Sequence, residues 1–388
     1  MEGKRNFMKR TIVLSIFVCF MVAEIAAQQT SQYRYHIFDD YLLNPGYVGM
    51  KDYYPVLIGR DQRFYGIQGS SPETYYLSIH SRVGEGFIFA KDGKINKFFE
   101  EFGSFALGLQ LFQYSFGPSR ETNIGVTYGY HLDLNQNYKR KNQRKLVLAV
   151  TPRLKRLGFN YNDLQLFGGE LGGDGQTFYD PQLGELDHMR AWMFTADVGA
   201  IYKSVHGEFG FAALDIVQSK NKLESDLLTI NDSISYSTYD SLYPSRFLAN
   251  AKLTFIEMYH SAKLDVTFVP SVAAIYAPKT GASEFYFDLM LESVFKQHVA
   301  GVRSEIVMTG QLGLNIHHTR VYEPGTFIQP YVAFDFKNFT VTYAQTINID
   351  NDLANVAGIY SGNQISVLFK ISNDRVIRSK TRKVSWHD

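Results

Sequence analysis

The chain has 388 residues, with 39 Lys+Arg against 38 Asp+Glu, 20% charged residues and 15% aromatics supplied by 30 Phe, 26 Tyr and 2 Trp. So little charge beside so much aromatic bulk excludes disorder as the main state, and a formal charge of +1 leaves no general basic field for a nucleic-acid backbone. A single cysteine excludes a disulfide framework and a Cys-based zinc site, and the length fits either several soluble domains or one β-barrel.

Residues 1–27 read as a secretory signal peptide. Lys4, Arg5, Lys9 and Arg10 precede the apolar run Thr11 to Val22, and the segment closes on Ala26-Ala27. That run is shorter than the roughly 20 residues a membrane-spanning helix needs. Cys19 lies within it, so the mature chain is expected to lack cysteine. Cleavage after Ala27 leaves 35 basic and 36 acidic residues, a formal charge of −1. No later segment approaches about 18 consecutive apolar residues, so a mature chain resident in a membrane must be a barrel.

Residues 28–53 form a periplasmic N-terminal segment built around a turn. Asn44-Pro45-Gly46 is turn chemistry: Pro45 fixes its own φ, pushes Asn44 away from the α region, and Gly46 permits a positive φ. Tyr35, Phe38, Tyr41 and Tyr47 flank it with aromatic surface. Two readings stand open, a plug or collar packed into the mouth of a barrel and a simple entry turn to the first strand.

From residue 54 to residue 371 the dominant signal is alternation with period two. Between Thr122 and Asp133, Ile124, Val126, Tyr128, Tyr130 and Leu132 take one face while Asn123, Gly125, Thr127, Gly129 and His131 take the other. Segments of this kind recur at 54–66, 73–82, 102–116, 122–133, 145–159, 190–205, 208–216, 245–259, 263–276, 284–295, 298–317, 326–337, 339–348 and 363–371. They number about 14, an even count that places both termini of a barrel in the periplasm. Thr309-Gly310 looks like a turn inside 298–317, but Val302, Ile306, Met308, Leu312, Leu314 and Ile316 keep one parity across it, which predicts one long strand. Tight links at Val205-His206-Gly207, His260-Ser261-Ala262, Phe295-Lys296-Gln297 and Lys337-Asn338 fall on the periplasmic side, and the long connections 160–189, 217–244 and 349–362 on the outer side. The links 83–101 and 134–144 are long yet periplasmic in this scheme.

Charged residues on the polar faces, namely Arg153, Lys155, Lys252, Asp288, Glu292, Arg303, Glu305, Asp335 and Lys370, carry both signs and predict pairing across a filled lumen. Glu257 breaks the parity of its strand and is expected near a solvated end. Ser78 and His80 share a face and resemble a nucleophile and base, but without a third orienting group they do not amount to a catalytic set. The runs Asp133-Asn135-Asn137 and Asn348-Asp350-Asp352 lack the glycine and terminal glutamate of an EF-hand, leaving only loose calcium binding by the second, in an outer loop. The chain therefore reads as a non-enzyme with no cofactor. Residues 372–388 form a tail carrying Arg375, Arg378, Lys380, Arg382 and Lys383, and a basic loop running into the 145–159 segment bears Lys139, Arg140, Lys141, Arg144 and Lys145. Both would face the periplasm as a docking strip for an acidic partner, or the tail is simply a solvated end.

One family resemblance is carried by specific residues. Leu43, Asn44, Pro45, Tyr47 and Gly49 match the Leu-Asn-Pro-Ala-Tyr-Ala-Gly element of the PorP/SprF family of type IX secretion outer-membrane proteins, with Gly46 and Val48 as mild departures. Arg60 and Gln62 resemble its Arg-x-Gln-Trp element, with Phe64 in place of Trp. Pro72-Glu73-Thr74 leading to His80, and Gly117 to Arg120, resemble the strand and loop that follow. The resemblance implies an outer-membrane barrel of Bacteroidota working with protein partners of that machinery, and no nucleic acid. It implies either anchoring of the periplasmic ring lipoprotein and motor of secretion and gliding, or holding of the C-terminal domain of a secreted adhesin at the surface. A diffusion or uptake channel is the rival from another class.

Overall fold

A computed structural model describes residues 39–51, 53–63, 71–83, 105–116, 119–134, 144–159, 190–204, 206–218, 245–253, 256–261, 264–278, 281–297, 305–319, 325–336, 338–349 and 360–371. Fifteen strands follow one another: β1 (Tyr54–Arg63), β2 (Glu73–Val83), β3 (Phe105–Phe116), β4 (Ser119–Asp133), β5 (Lys145–Phe159), β6 (Arg190–Lys203), β7 (Gly207–Gln218), β8 (Arg246–Leu253), β9 (Ile256–His260), β10 (Leu264–Ala277), β11 (Ala282–Gln297), β12 (Glu305–Thr319), β13 (Gly325–Asp335), β14 (Phe339–Asn348) and β15 (Tyr360–Ile371). Apart from β8 and β9, which do not pair with each other, each strand pairs antiparallel with its sequence neighbours, and β1 pairs with β15 from Tyr54↔Ile371 to Arg63↔Gly362. The sheet closes on itself, so the barrel has no edge.

β8 and β9 both pair with β10 and together make one stave, which brings the barrel to 14 strands. The stave is not the uninterrupted strand expected over 245–259. Lys252 stands opposite Ser271 but Glu257 stands opposite Thr267, a slip of one residue. Ser271 and Thr267 share a parity on β10, so position 257 returns to the face of position 252, and its apparent break of alternation is a bulge.

β12 runs without a break through Thr309-Gly310, with Gly310 opposite both Ser293 and Phe334, so the parity reading of one strand holds there. It is described from Glu305, residues 298–304 of the expected strand lying outside the described residues, and Phe295-Lys296-Gln297 is not a turn but the end of β11, with Gln297 opposite Glu305. Tight turns do close at three other places. Ser204 N–H donates to Gly207 O at 2.8 Å, Ser261 N–H to Leu264 O at 2.9 Å and Phe336 N–H to Phe339 O at 2.7 Å. All lie at the end where β1 starts, here the lower rim. The long links 160–189, 219–244 and 350–359 at the opposite, upper rim fall outside the described residues, while 217–218 belong to β7.

The pattern of exposure is turned inside out relative to a soluble protein. On β4, Asn123, Gly125, Thr127, Gly129 and His131 are buried while Ile124, Val126, Tyr128 and Tyr130 are exposed. An apolar outer wall with a polar interior suits a hydrocarbon surround. Phe209, Phe211, Tyr259, Phe336 and Phe339 are exposed toward the lower rim, and Tyr75, Trp192, Phe194, Phe247 and Tyr276 toward the upper, as interfacial girdles are. No helix among the described residues is long and apolar enough to cross a membrane.

Candidate functional site

The core of the molecule lies in the lumen and is organised by its own N-terminal segment. Asp39 caps a single-turn helix α1 (Asp40–Leu43), its carboxylate accepting from Tyr41 N–H at 3.3 Å. The helix stops at Asn44, held extended at φ −134° before Pro45, and a 3₁₀ turn (Pro45–Tyr47) follows, capped by the Asn44 side chain accepting from Gly46 N–H at 2.9 Å. Every residue from Tyr41 to Gly49 is buried. Gly46 does not adopt the positive φ expected of it. It is needed because a Cβ there would stand 2.7 Å from Ile201 Cγ1 on β6, and the positive φ belongs to Gly49, at +66°.

Three apolar clusters seat the segment. Leu42 packs with Leu57, Tyr76 and Phe112; Leu43 with Ala212, Leu214, Leu248, Ala273, Ile275 and Tyr286; Tyr41, Tyr47 and Val48 with Ala106, Ala149 and Ile201. Burial of each leucine is worth about 1.5–3 kcal/mol. Opposite the segment, the strands carry lumen-facing glycines that leave room for it. A Cβ on Gly108 would stand 2.2 Å from Tyr41 Oη, one on Gly129 2.3 Å from Val48 Cγ1, and one on Gly199 2.3 Å from Asn44 Oδ1.

Polar bonds set its register in the lumen. The Asn44 amide donates to Asn250 Oδ1 at 3.1 Å, and Asn250 donates to Tyr47 Oη at 2.9 Å. Tyr41 Oη donates to Thr127 at 2.7 Å, Gln110 donates to Tyr41 O at 3.0 Å, and Lys252 pairs with Asp40 at 3.0 Å. Burial raises the phenol pKa of Tyr41 and of Tyr47 far above the usual range, because an anion there would lose its water. Ser78 and His80 serve the same purpose. Ser78 Oγ donates to Asp39 Oδ2 at 3.3 Å, His80 Nε2 meets the same oxygen at 3.2 Å, and Gly49 N–H donates to His80 Nδ1 at 3.0 Å. The acceptor nitrogen of the imidazole is thus occupied by a backbone amide and the serine faces the carboxylate, so the pair lacks the geometry of a nucleophile and base.

Above the segment lies a buried ionic cluster of three cations and three carboxylates. Arg153 pairs with Asp197, Lys155 with Asp215 at 2.7 Å, Arg246 with Asp215 at 2.8 Å, and Glu284 accepts from Tyr286 Oη and faces His317 Nε2 at 3.4 Å. Asp215 is the non-glycine residue with positive φ among those described, at 54°, and sits where the β6–β7 register slips between Ala196 and Val198. The bulge turns its carboxylate toward both cations. The space left between Leu42, Leu43 and these charges is a cavity of about 20 Å³, room for about one water.

The charged positions expected on the lumen wall pair there. Lys370 binds Asp335, Asp288 accepts from Tyr331 Oη at 3.1 Å, and Glu292 accepts from Gln311 at 3.1 Å. Arg303 falls outside the described residues. Sequence reasoning missed Asp39, Asp40, Asp197, Arg246 and Glu284 as partners, although the parity of Asp197 with Gly199 and of Arg246 with Asn250 pointed to the lumen. Asp215 could not be found that way, since the bulge shifts its parity.

The expected motif residues divide into two places. Leu43, Asn44, Pro45, Gly46, Tyr47 and Gly49 form the lumen segment. Arg60 and Gln62 stand on the outer wall of β1, where Arg60 pairs with Glu73, donates to Gln62 Oε1 at 3.0 Å and lies 5.8 Å from the Tyr75 ring centroid. Of the basic docking candidates, Arg144 is exposed at the lower rim and Lys145 stands opposite Asp133 and Lys203; Lys139, Arg140, Lys141, Arg375, Arg378, Lys380, Arg382 and Lys383 lie outside the described residues. Asn348 of the calcium-like run is buried in β14 and not in an outer loop, and its companions Asp350 and Asp352 lie outside the described residues.

A closed antiparallel barrel with an apolar wall and a polar, occupied interior defines an outer-membrane β-barrel protein. Residues 25–367 match the family model described as "Type IX secretion system membrane protein PorP/SprF", and the chain belongs to that family. No match is found among curated proteins. Among solved structures the chain is similar to a "CymD monoaromatic hydrocarbon channel" at 10% identity and TM-score 0.40, covering 90% of this chain and 95% of that one. It is also similar to the Pseudomonas putida toluene transporter TodX at 10% identity and TM-score 0.38, covering 89% and 94%. At such scores the likeness adds nothing to the strand register described above.

Proposed function

We propose that this barrel is a non-enzymatic, protein-binding component of type IX secretion that anchors the periplasmic ring and motor proteins at the outer membrane. One observation carries the reading: the lumen is filled by residues 39–50, seated by three apolar clusters and a set of polar bonds. A barrel so filled works through its rims and not through a pore, which weighs against a diffusion or uptake channel. In this reading residues 1–27 are cleaved, both termini are periplasmic, and the basic tail 372–388 with Lys139, Arg140, Lys141, Arg144 and Lys145 faces an acidic ring lipoprotein. The holding of a secreted C-terminal domain is the second reading, favoured by the long links gathered at the upper rim.

Tagged purification from envelopes after mild crosslinking separates the two. The anchor reading expects ring lipoproteins in the eluate, and their loss when Lys139, Arg140 and Lys141 are changed to glutamate. A secreted C-terminal domain in their place would transfer the role to the upper rim, and a barrel recovered alone with steady conductance would overturn both.

A further inference from the structure

The cations of the cluster above the segment find their anions on the wall itself. Arg153 has Asp197, and Lys155 and Arg246 share Asp215, so these pairs stand whatever residues 39–50 do. Lys252 on β8 differs. Its Nζ reaches Asp40 of the segment at 3.0 Å, and any withdrawal of the segment takes that anion away. A cation stranded in the lumen is a large cost, which would lock the segment in place unless the wall supplies a second anion.

The wall holds one within reach. Lys252, Ser271 and Asp288 form a single register row across β8, β10 and β11. Two strand spacings are about 10 Å, which extended lysine and aspartate side chains bridge end to end. Asp288 is buried, and Tyr331 Oη donates to its Oδ2 at 3.1 Å. The tyrosine crosses β12 over Gly313, where a Cβ would stand 2.0 Å from Tyr331 Cζ. The other oxygen, Oδ1, has no hydrogen-bond partner among the described residues, and both Lys252 and Asp40 act on the carboxylate electrostatically. An acceptor held in position through one oxygen and left unsatisfied at the other is ready for a donor. Glu208, opposite Lys252 on β7, is the nearer carboxylate, but Lys203 holds it at 2.6 Å. The wall groups Lys203, Glu208, Lys252 and Asp288 are thus formally neutral among themselves, and Asp40 is an extra anion brought in by the segment.

We propose that Asp288 is a second seat for Lys252: when residues 39–50 leave the lumen the lysine exchanges Asp40 for Asp288, so that the segment is a displaceable plug and not a permanent core. The exchange involves the wall and the segment alone and does not depend on which partner the rims bind.

The test follows a thiol placed in the segment of the full chain. In a Cys19→Ser background, Val48→Cys puts a thiol of nearly the same size at a buried position, and its labelling by a water-soluble maleimide in micelles reports how often the segment leaves the lumen. Asp288→Asn is expected to slow labelling at least about tenfold, because the withdrawn state then strands Lys252, while Asp40→Asn speeds it. In a Lys252→Met chain the effect of Asp288→Asn is expected to shrink to within about twofold, since no lysine remains to be seated. Heat-shifted migration on a gel shows that each chain is folded, and Asp288→Ser makes the same comparison if the asparagine variant fails to fold. Unchanged or faster labelling in Asp288→Asn, or equal slowing in the Lys252→Met chain, would overturn the exchange. Slowing by Glu208→Gln as large as that by Asp288→Asn would move the seat to β7 and overturn the assignment. A folded parent whose thiol never labels would overturn the displaceable plug itself, and none of these results bears on the partner capture.

Discussion

Gly199 shows at the scale of one residue how the strands are written for their occupant. Within a strand a glycine weakens packing, and here it is retained because a Cβ would stand 2.3 Å from Asn44 Oδ1 and 2.8 Å from Gly46 N. Gly199→Ala is expected to lower stability by about 1–3 kcal/mol, read as the urea midpoint of the folded barrel in detergent. In a chain lacking residues 39–50 the same substitution should cost nothing, and a cost that persists there would mean that the glycine serves the barrel alone. Asn44→Asp probes the other side of the contact. It keeps the shape but puts an acceptor against Asn250 Oδ1, and a loss of about 1–3 kcal/mol is expected in the same assay. The tyrosines give the pH dependence. Tyr41 and Tyr47 have folded pKa values raised above the ordinary 10.0, so their contribution is complete below pH 10 and is lost as pH rises beyond it. Spectrophotometric titration should show two phenols that ionise only as the segment leaves the lumen.

The elements differ in how far they could be read from the chain. Alternation located every stave, because a barrel strand with lipid on one side and a polar lumen on the other repeats its two faces without interruption. It failed where the backbone itself departs from period two. The slip between β8 and β9 made Glu257 look misplaced, and the bulge at Asp215 hid the anion that binds Lys155 and Arg246. The N-terminal segment was legible as a turn but not as the centre of the core, since its partners come from strands distant in the chain, Lys252 lying 212 residues from Asp40. The bulge can be tested apart from its strain. Asparagine tolerates the left-handed conformation that Asp215 holds at φ 54°, so Asp215→Asn removes charge and little else. It leaves Lys155 and Arg246 buried without their anion, and a loss of about 3–5 kcal/mol in urea unfolding is expected. A loss below about 1 kcal/mol would instead mark the cluster as wet and weakly coupled.

For the whole molecule, the question is what a barrel does once its lumen is taken. The segment that fills it is continuous with β1 and enters from the lower rim, so a force applied to the chain before residue 39 would act on the plug directly. The wall and the plug are held together by contacts of two kinds, apolar clusters that resist water and polar bonds that fix position. Single-channel recording in planar bilayers separates their consequences. The full chain is expected to show no steady conductance, because residues 41–49 are buried within the barrel and the cavity beside Leu42 and Leu43 is only about 20 Å³. Deleting residues 39–50 should leave a closed sheet, whose strand pairings do not involve the segment, and should open a conductance of fixed size. Replacing Leu42 and Leu43 by serine weakens the seating without removing the chain, and is expected to give flickering between closed and open levels. A full-length barrel that conducts as steadily as the deleted one would mean that residues 39–50 do not occupy the lumen in a membrane, and the scaffold reading would lose the observation on which it rests.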